Sequence, residues 1–238
     1  MKGPSMANFL RGFVYAVIKS GLGLLCRVHV EGRERIPAHG PLILYSNHTG
    51  SVEVPMLYAL LYPRKATGWA KIESWDSPFL RWLFTLWEII PVRRGELDMV
   101  ALRKAVAALE QGYIFGLAPE GTRSPTGRLV RARPGAVLLA SLSGAPLLPI
   151  AHWGGEDFSR NLKSLRRTDF NMSVGEPFRI DSGGRVTAEM RQQIVDEMMA
   201  RLAALLPLEY RGEYGEMRVE EEHLRPVTLE GIDQASKP

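Results

Sequence analysis

Two short stretches carry most of the chemistry that this sequence predicts. The first places His48 five residues before Glu53, and the second places Gly121 and Arg123 just after a turn-forming Pro-Glu pair. A histidine titrates near neutral pH, so beside a carboxylate that fixes its tautomer and stabilises its imidazolium it can take a proton from an alcohol. An arginine beside free main-chain amides suits a phosphate. The two stretches therefore predict a general base and an anion site.

Predicted strands lead into both stretches. Residues 42–45 form a short apolar run bounded by turn-forming residues, which predicts a buried strand that ends just before His48. Residues 113–117 predict a second strand that ends just before the Pro-Glu pair. Open α/β sheets build their sites at the carboxyl ends of strands. If Ser51 caps a helix that starts near Val52, Glu53 lies in the first helical turn and faces His48.

The rest of the chain alternates strands with helices. Val28 and Val30 alternate with polar neighbours and predict a strand, and further strands are expected at 147–151 and, as one strand or a pair, at 171–180. Helical periodicity predicts helices at 98–111, 134–143 and 187–206. This pattern predicts the α/β fold class, with a mostly parallel central sheet flanked by helices.

Composition divides the 238 residues into three parts. We expect one folded domain over residues 27–216, preceded by a helical segment at 1–26 and followed by a polar, acidic, loosely ordered tail at 217–238. The single cysteine, Cys26, excludes an intramolecular disulfide and is expected to be a small buried side chain.

The N-terminal segment is apolar but interrupted by charge. Its uncharged runs, such as residues 20–26, are far shorter than the roughly 20 residues that span a bilayer. It shows no small-residue cleavage pattern of a signal peptide. Phe9, Phe13, Val17 and Leu24 lie near one face of a predicted helix, which fits an amphipathic helix in the membrane interface. A helix packed on the domain fits equally well, and both interpretations stay open.

Four blocks, taken in order and with their spacing, resemble those of the glycerophospholipid acyltransferases, in particular the 1-acyl-sn-glycerol-3-phosphate acyltransferases. The resemblance runs from about residue 28 to residue 214. That family has an N-H-x-x-x-x-D block, a segment that ends in an arginine, an E-G-T-R block and a later apolar strand flanked by prolines. The matching residues here are His48 with Glu53, Pro91-Val92-Arg93-Arg94, Glu120-Gly121-Thr122-Arg123 and Pro146-Leu147-Leu148-Pro149-Ile150. One position departs from the pattern: the usual aspartate is Glu53, a substitution that the related lipid A acyltransferases tolerate.

The resemblance implies that the domain at 27–216 is an acyltransferase. It would move a fatty acyl group from acyl-CoA or acyl-carrier protein to the free hydroxyl of 1-acyl-sn-glycerol-3-phosphate, giving phosphatidic acid. It implies His48 as the general base, oriented by Glu53, and attack on the thioester without a covalent enzyme intermediate. No metal and no cofactor besides the acyl donor are expected.

The resemblance also implies which residues bind the substrate phosphate. These are Arg94, Glu120, Gly121, Thr122 and Arg123. Because a carboxylate repels a phosphate, Glu120 is expected to bind the arginines or a glycerol hydroxyl instead. Arg93 is a second candidate, but the family's spacing favours Arg94.

Charge and aromatic content suggest the partners. The net charge is +4 although acidic residues are concentrated after residue 208, so the body of the chain is basic. A basic body attracts anionic lipid headgroups, an acidic carrier protein or coenzyme A. Nucleic acid is not expected, because no nucleic-acid-binding motif is present. Six aromatic residues between 69 and 87 are expected in the core, with some lining an acyl tunnel or lying at the membrane interface.

The sequence leaves the exact activity open between related possibilities. We expect a peripheral enzyme on the cytoplasmic face of the cell membrane that acts on lysophosphatidic acid. The acceptor can instead be another lyso-lipid, because the same blocks recur across the superfamily. The glutamate at position 53 also allows a non-catalytic lipid-binding relative.

Overall fold

The structure is a computed structural model that describes residues 6–50, 52–93, 98–181, 183–184, 186–217 and 219–234. Its strands are β1 (Cys26–Glu31), β2 (Leu42–Ser46), β3 (Ala66–Lys71), β4 (Ile90–Val92), β5 (Ile114–Leu117), β6 (Leu147–Trp153), β7 (Thr168–Val174), β8 (Phe178–Ile180) and β9 (Leu224–Pro226). Its helices are α1 (Met6–Leu25), α2 (Glu53–Leu61), α3 (Pro78–Leu86), α4 (Met99–Glu110), α5 (Gly135–Ser143), α6 (Phe158–Lys163), α7 (Ala188–Ala204) and α8 (Leu229–Gln234).

The nine strands found in the described residues belong to one sheet. Its main path runs in the order β1-β7-β6-β2-β5-β3-β4, and β8 and β9 extend it from the side of β6. β2 pairs in parallel with both β5 and β6, and β3 pairs in parallel with β4 and β5. The antiparallel pairs are β6 with β7, β6 with β8 and β8 with β9. The predicted α/β class with a mostly parallel sheet is confirmed.

Helices cover both faces of the sheet around β2. Ile43 and Tyr45 belong to the core cluster formed with α4, α5 and α7, whereas Leu42 and Leu44 belong to the cluster formed with α2. Successive side chains of a strand point to opposite faces, and both faces of this strand are buried. The apolar run at 42–45 is therefore the central strand that carries the loop containing His48.

The N-terminal helix α1 packs on the domain through one side only. Val14 is buried in a small cluster with Leu86 and Trp87. On the other side, Phe9 and Phe13 are 70% and 60% exposed. The packed interpretation is therefore correct for one side of α1, and the exposed apolar side leaves membrane contact as a proposal. Within the part of the chain that the structure describes, no helix has the length and hydropathy needed to cross a membrane.

The C-terminal segment differs from the loosely ordered tail expected at 217–238. β9 adds to the sheet beside β8, and α8 follows it. Leu224 and Ile232 are buried, and His223 donates its main-chain N–H to the buried carboxylate of Glu197. The polar composition predicted a loose tail, but two buried apolar side chains and pairing with a sheet edge are enough to hold a short segment in place.

Two predicted details fall on residues that the structure does not describe. Ser51, the expected cap of α2, lies outside the described residues, and so does Arg94. α2 begins at Glu53, and the preceding Val52 supplies no capping side chain. Glu53 instead holds the loop before the helix, because its carboxylate accepts hydrogen bonds from the main-chain N–H groups of Thr49 and Gly50.

Candidate active site

His48 and Glu53 form a hydrogen-bonded pair at the carboxyl end of β2. His48 lies in the loop after β2, and Glu53 is the first residue of α2. His48 Nδ1 contacts Glu53 Oε1, while Glu53 Oε2 accepts the main-chain N–H groups of Thr49 at 2.8 Å and Gly50 at 2.9 Å. A carboxylate accepts hydrogen bonds only, so Nδ1 carries the proton and Nε2 keeps a free lone pair. The ring is therefore set up to accept a proton at Nε2.

The environment of Glu53 favours its charged form. Burial alone would raise the pKa of this carboxyl, but the hydrogen bond from His48, the electrostatic influence of the His152 and His48 rings and the main-chain N–H of Thr49 hold the pKa below its usual value. An ionised Glu53 can stabilise an imidazolium at His48. The extra methylene of glutamate, relative to aspartate, does not prevent this contact.

Glu120 has a different place from the one expected. Its Oε1 accepts the main-chain N–H of His48 at 2.8 Å, and its Oε2 accepts that of Val130 at 3.1 Å. The side chain is 2% exposed, and burial raises its pKa to about 7 despite the hydrogen bonds. The expectation that Glu120 binds arginines or a glycerol hydroxyl is therefore corrected, because both carboxyl oxygens bind the main chain.

Two cavities meet at His48. The first, of about 240 Å³, is mostly apolar and is lined by His48, Glu53 and residues of α2, β3 and α3. Trp69, Phe84 and Trp87 are among its aromatic walls. Its apolar lining suits an alkyl chain. Part of the aromatic segment therefore lines an apolar cavity, whereas Phe79 and Trp82 are exposed on α3.

The second cavity is basic. It has a volume of about 260 Å³, and Lys71, Arg93 and Arg133 line it together with His48 and Gly121. Gly121 has a φ of 68°, the left-handed region that glycine adopts without strain, and the turn brings it next to the Arg133 side chain. Three cations beside a glycine turn have the charge and the hydrogen-bond donors to bind an anion such as a phosphate group.

The predicted phosphate ligands are only partly brought together. Gly121 lines the basic cavity, and so does Arg93, the candidate that the family's spacing disfavoured. Thr122 and Arg123 are exposed and are not among the described residues that line either cavity at His48. Arg94 lies outside the described residues.

Lys71 and Arg133 are site residues that the sequence reasoning missed. Lys71 ends β3, so the rule that sites lie at the carboxyl ends of parallel strands would have identified it once β3 was assigned. The aromatic residues around Lys71 in the sequence indicated core packing instead. Arg133 lies just before α5, and its main-chain N–H donates to the carbonyl of Pro119 at 2.8 Å. That hydrogen bond holds Arg133 next to the turn that contains Gly121.

Comparison with known proteins points to one family. The model of the Acyltransferase family matches residues 27–153. The chain is 27% identical over 165 residues to a protein of Bacillus subtilis (strain 168) named 1-acyl-sn-glycerol-3-phosphate acyltransferase, with 69% of this chain and 80% of that protein covered. It is 26% identical over 197 residues to a protein of the same name from Pseudomonas aeruginosa, and the match covers 81% of this chain and 76% of that protein.

A solved structure supports the fold. The 1-acyl-sn-glycerophosphate (LPA) acyltransferase PlsC from Thermotoga maritima superimposes with a TM-score of 0.65 at 24% sequence identity. The match covers 84% of this chain and 79% of that one.

The described residues contain no group of three or more His, Cys, Asp or Glu side chains arranged to hold a metal ion.

Proposed function

This chain belongs to the Acyltransferase family, and from that membership we propose that it moves a fatty acyl group from a thioester to the free hydroxyl of 1-acyl-sn-glycerol-3-phosphate. The product is phosphatidic acid. The names of the Bacillus and Pseudomonas relatives support this acceptor. The observation that carries the proposal is the position of the His48–Glu53 pair, at the junction of an apolar and a basic cavity.

The proposed chemistry follows from the tautomer of His48. Nε2 takes the proton of the acceptor hydroxyl while the oxygen attacks the thioester carbonyl. The carbon–sulfur bond then breaks, the thiolate leaves, and the proton held by His48 returns to the sulfur. Glu53 remains ionised and stabilises the imidazolium between these steps. The reaction uses no enzyme nucleophile and no cofactor besides the acyl donor, since the hydroxyl attacks directly.

Each cavity suits a different substrate group, one the acyl chain and the other the phosphate of the acceptor. The apolar cavity takes an acyl chain, and the basic cavity takes the acceptor phosphate on Lys71, Arg93 and Arg133. Binding both groups fixes the hydroxyl close to the carbonyl, which lowers the entropic part of the barrier. The donor is acyl-CoA or an acyl-carrier protein, both of which carry phosphate or acidic groups that a basic protein attracts.

Membrane contact is proposed for the exposed sides of α1 and α3. Phe9 and Phe13 on α1, and Phe79 and Trp82 on α3, are exposed, and Leu10 of α1 and Leu83 of α3 pack against the same small cluster of Val14, Leu86 and Trp87. Exposed aromatic side chains partition into the headgroup region, and basic side chains attract anionic lipid. We place the enzyme as a peripheral protein at the cytoplasmic face of the cell membrane, where its lipid acceptor lies.

An acceptor panel tests the proposed function. Purified full-length protein is given a radiolabelled acyl donor, either acyl-CoA or acyl-carrier protein, with lysophosphatidic acid or with lyso-lipids that have a different headgroup. We expect transfer to lysophosphatidic acid with the highest kcat/KM. A higher value for another lyso-lipid reassigns the acceptor. No transfer from either donor to any acceptor contradicts the enzymatic function and favours a lipid-binding protein.

A further inference from the structure

His152 is a buried histidine next to Glu53 and to the loop that carries His48. It lies in β6, the strand beside β2, and its side chain is fully buried. Its Nε2 lies 2.8 Å from the main-chain oxygen of Asn47 and 3.5 Å from Glu53 Oε2. The ring of Phe170 stacks against it at a centroid distance of 5.5 Å. His152 therefore borders both the carboxylate and the loop that holds His48.

The surroundings select one form of the ring. A carbonyl oxygen only accepts hydrogen bonds, so Nε2 of His152 carries a proton and donates it to Asn47. Nδ1 is buried and has no hydrogen-bond partner among the described residues, and an unpartnered N–H or charge at that position would be costly. The neutral Nε2–H tautomer satisfies both conditions.

The main chain reinforces this arrangement. The side-chain oxygen of Asn47 accepts the N–H of His152 at 3.0 Å, and the side-chain amide of Asn47 donates to the carbonyl of His152 at 2.8 Å. With the ring contact, three hydrogen bonds join the two residues. Asn47 immediately precedes His48, so these bonds fix the point at which the loop leaves β2.

We propose that His152 is a positioning residue for acyl transfer: as a neutral Nε2–H donor it holds the Asn47 carbonyl in place beside His48, and its ring lies next to the Glu53 carboxylate. It does not touch the substrate and transfers no proton. A neutral ring beside Glu53 leaves the charge of the carboxylate uncancelled, whereas a permanent cation at this position would weaken the support that Glu53 gives to the imidazolium of His48. This role rests on the proposed function of the His48–Glu53 pair.

Two variants separate the donor role from packing. His152→Leu keeps an apolar side chain of similar size but removes the donor, and His152→Gln keeps an N–H that can reach Asn47. We expect His152→Leu to lower kcat about tenfold, the effect of one hydrogen bond, with acceptor KM nearly unchanged. We expect His152→Gln to keep most of the activity. Equal losses in two folded variants would overturn the proposal.

The pH profile gives a readout that packing alone would not move. Without the nearby N–H, the Glu53 carboxylate is more basic and favours protonated His48, so the acid limb of kcat/KM should shift to higher pH in His152→Leu but not in His152→Gln. His223→Gln is the matched control, because His223 Nδ1 also lies 2.6 Å from a buried carboxylate, that of Glu197, outside the site. An unshifted limb in folded His152→Leu would contradict the positioning role.

Nitrogen NMR of the wild-type protein keeps the proposal testable if His152→Leu does not fold. The full-length chain is labelled with ¹⁵N-histidine, and the His152 signals are assigned by their loss in His152→Gln. We expect a neutral Nε2–H ring throughout the range in which histidines normally titrate. An Nδ1–H tautomer or a charged ring would overturn the proposal. This result does not depend on turnover, so failure of the proposed function, seen as an inactive wild type, remains distinguishable.

Discussion

The main-chain N–H of His48 donates a hydrogen bond of 2.8 Å to the carboxylate of Glu120, which joins two loops that lie 72 residues apart in the sequence. The N–H of Ser124 returns a bond of 2.7 Å to the carbonyl of His48. The position of the proposed base therefore depends on both loops, and the glutamate of the second loop acts on the main chain of the first.

Glu120 should make the stability of the fold depend on pH. Its pKa in the folded protein is about 7, above the usual value, so the folded state binds more protons than the unfolded state between these two values. The free energy of unfolding should therefore fall as pH rises through this range. Glu120→Gln removes the titration, so the Tm of wild type minus that of the variant should decrease from pH 4.5 to pH 7.

Thermal unfolding followed by circular dichroism measures that difference. The amide in Glu120→Gln adds a constant offset, since it meets the N–H groups of His48 and Val130 at every pH. The prediction is therefore tested by how the Tm difference changes with pH, and not by its absolute size. A Tm difference that rises with pH would show that the folded state holds Glu120 with a lowered pKa.

Replacing His48 should remove the general base. We expect His48→Ala to lower kcat about a hundredfold or more, the usual contribution of a positioned base, while the circular dichroism spectrum stays that of the wild type. His29→Ala, in β1, is the matched control because that strand lies at the edge of the sheet. Near-normal turnover by folded His48→Ala would exclude the mechanism.

The charge at position 53 should matter more than side-chain length. Glu53→Gln loses the charge that stabilises the His48 imidazolium, whereas Glu53→Asp keeps it. We therefore expect a much larger fall in kcat for Glu53→Gln than for Glu53→Asp. Steady-state kinetics on both variants measure the ratio. Equal losses would mean that the geometry of the contact, rather than its charge, limits the reaction.

Arg133 should bind the acceptor phosphate more strongly than Arg123 does. Arg133 lines the basic cavity, and a hydrogen bond to a charged group contributes about 1.5 to 3 kcal/mol, so Arg133→Ala should raise acceptor KM about tenfold or more. Arg123→Ala serves as the comparison, with a smaller rise in acceptor KM expected because Arg123 does not line the basic cavity. A rise in donor KM alone for Arg133→Ala would assign the basic cavity to the acyl donor.

The exposed side of α1 should hold the protein on anionic membranes. We expect Phe9→Glu with Phe13→Glu to weaken co-sedimentation with vesicles that contain phosphatidylglycerol, because charge replaces exposed aromatic area. Leu208→Glu is the matched control, since Leu208 is 73% exposed but lies after α7. High salt or alkaline wash should release the wild-type protein. Release by detergent alone, or equal weakening by the control, would contradict a peripheral contact through α1.

The sequence by itself determined the features that depend on nearby residues. The apolar run at 42–45 predicted β2, and the five-residue spacing predicted that His48 and Glu53 meet at its end. The period of the apolar residues predicted α4 and α7 to within a few residues. These features are local, because a strand, a turn and the first turn of a helix place their side chains whatever the rest of the chain does.

Only the tertiary structure decided which distant side chains meet at this pair. Lys71, Arg93 and Arg133 converge because parallel strands bring loops from separate parts of the chain to one edge of the sheet. Glu120 binds the main chain of His48 rather than substrate, and His152 reaches Glu53 from the adjacent strand. Strand order and register set these contacts, and they arise from burial of the whole core, which no short stretch of sequence specifies.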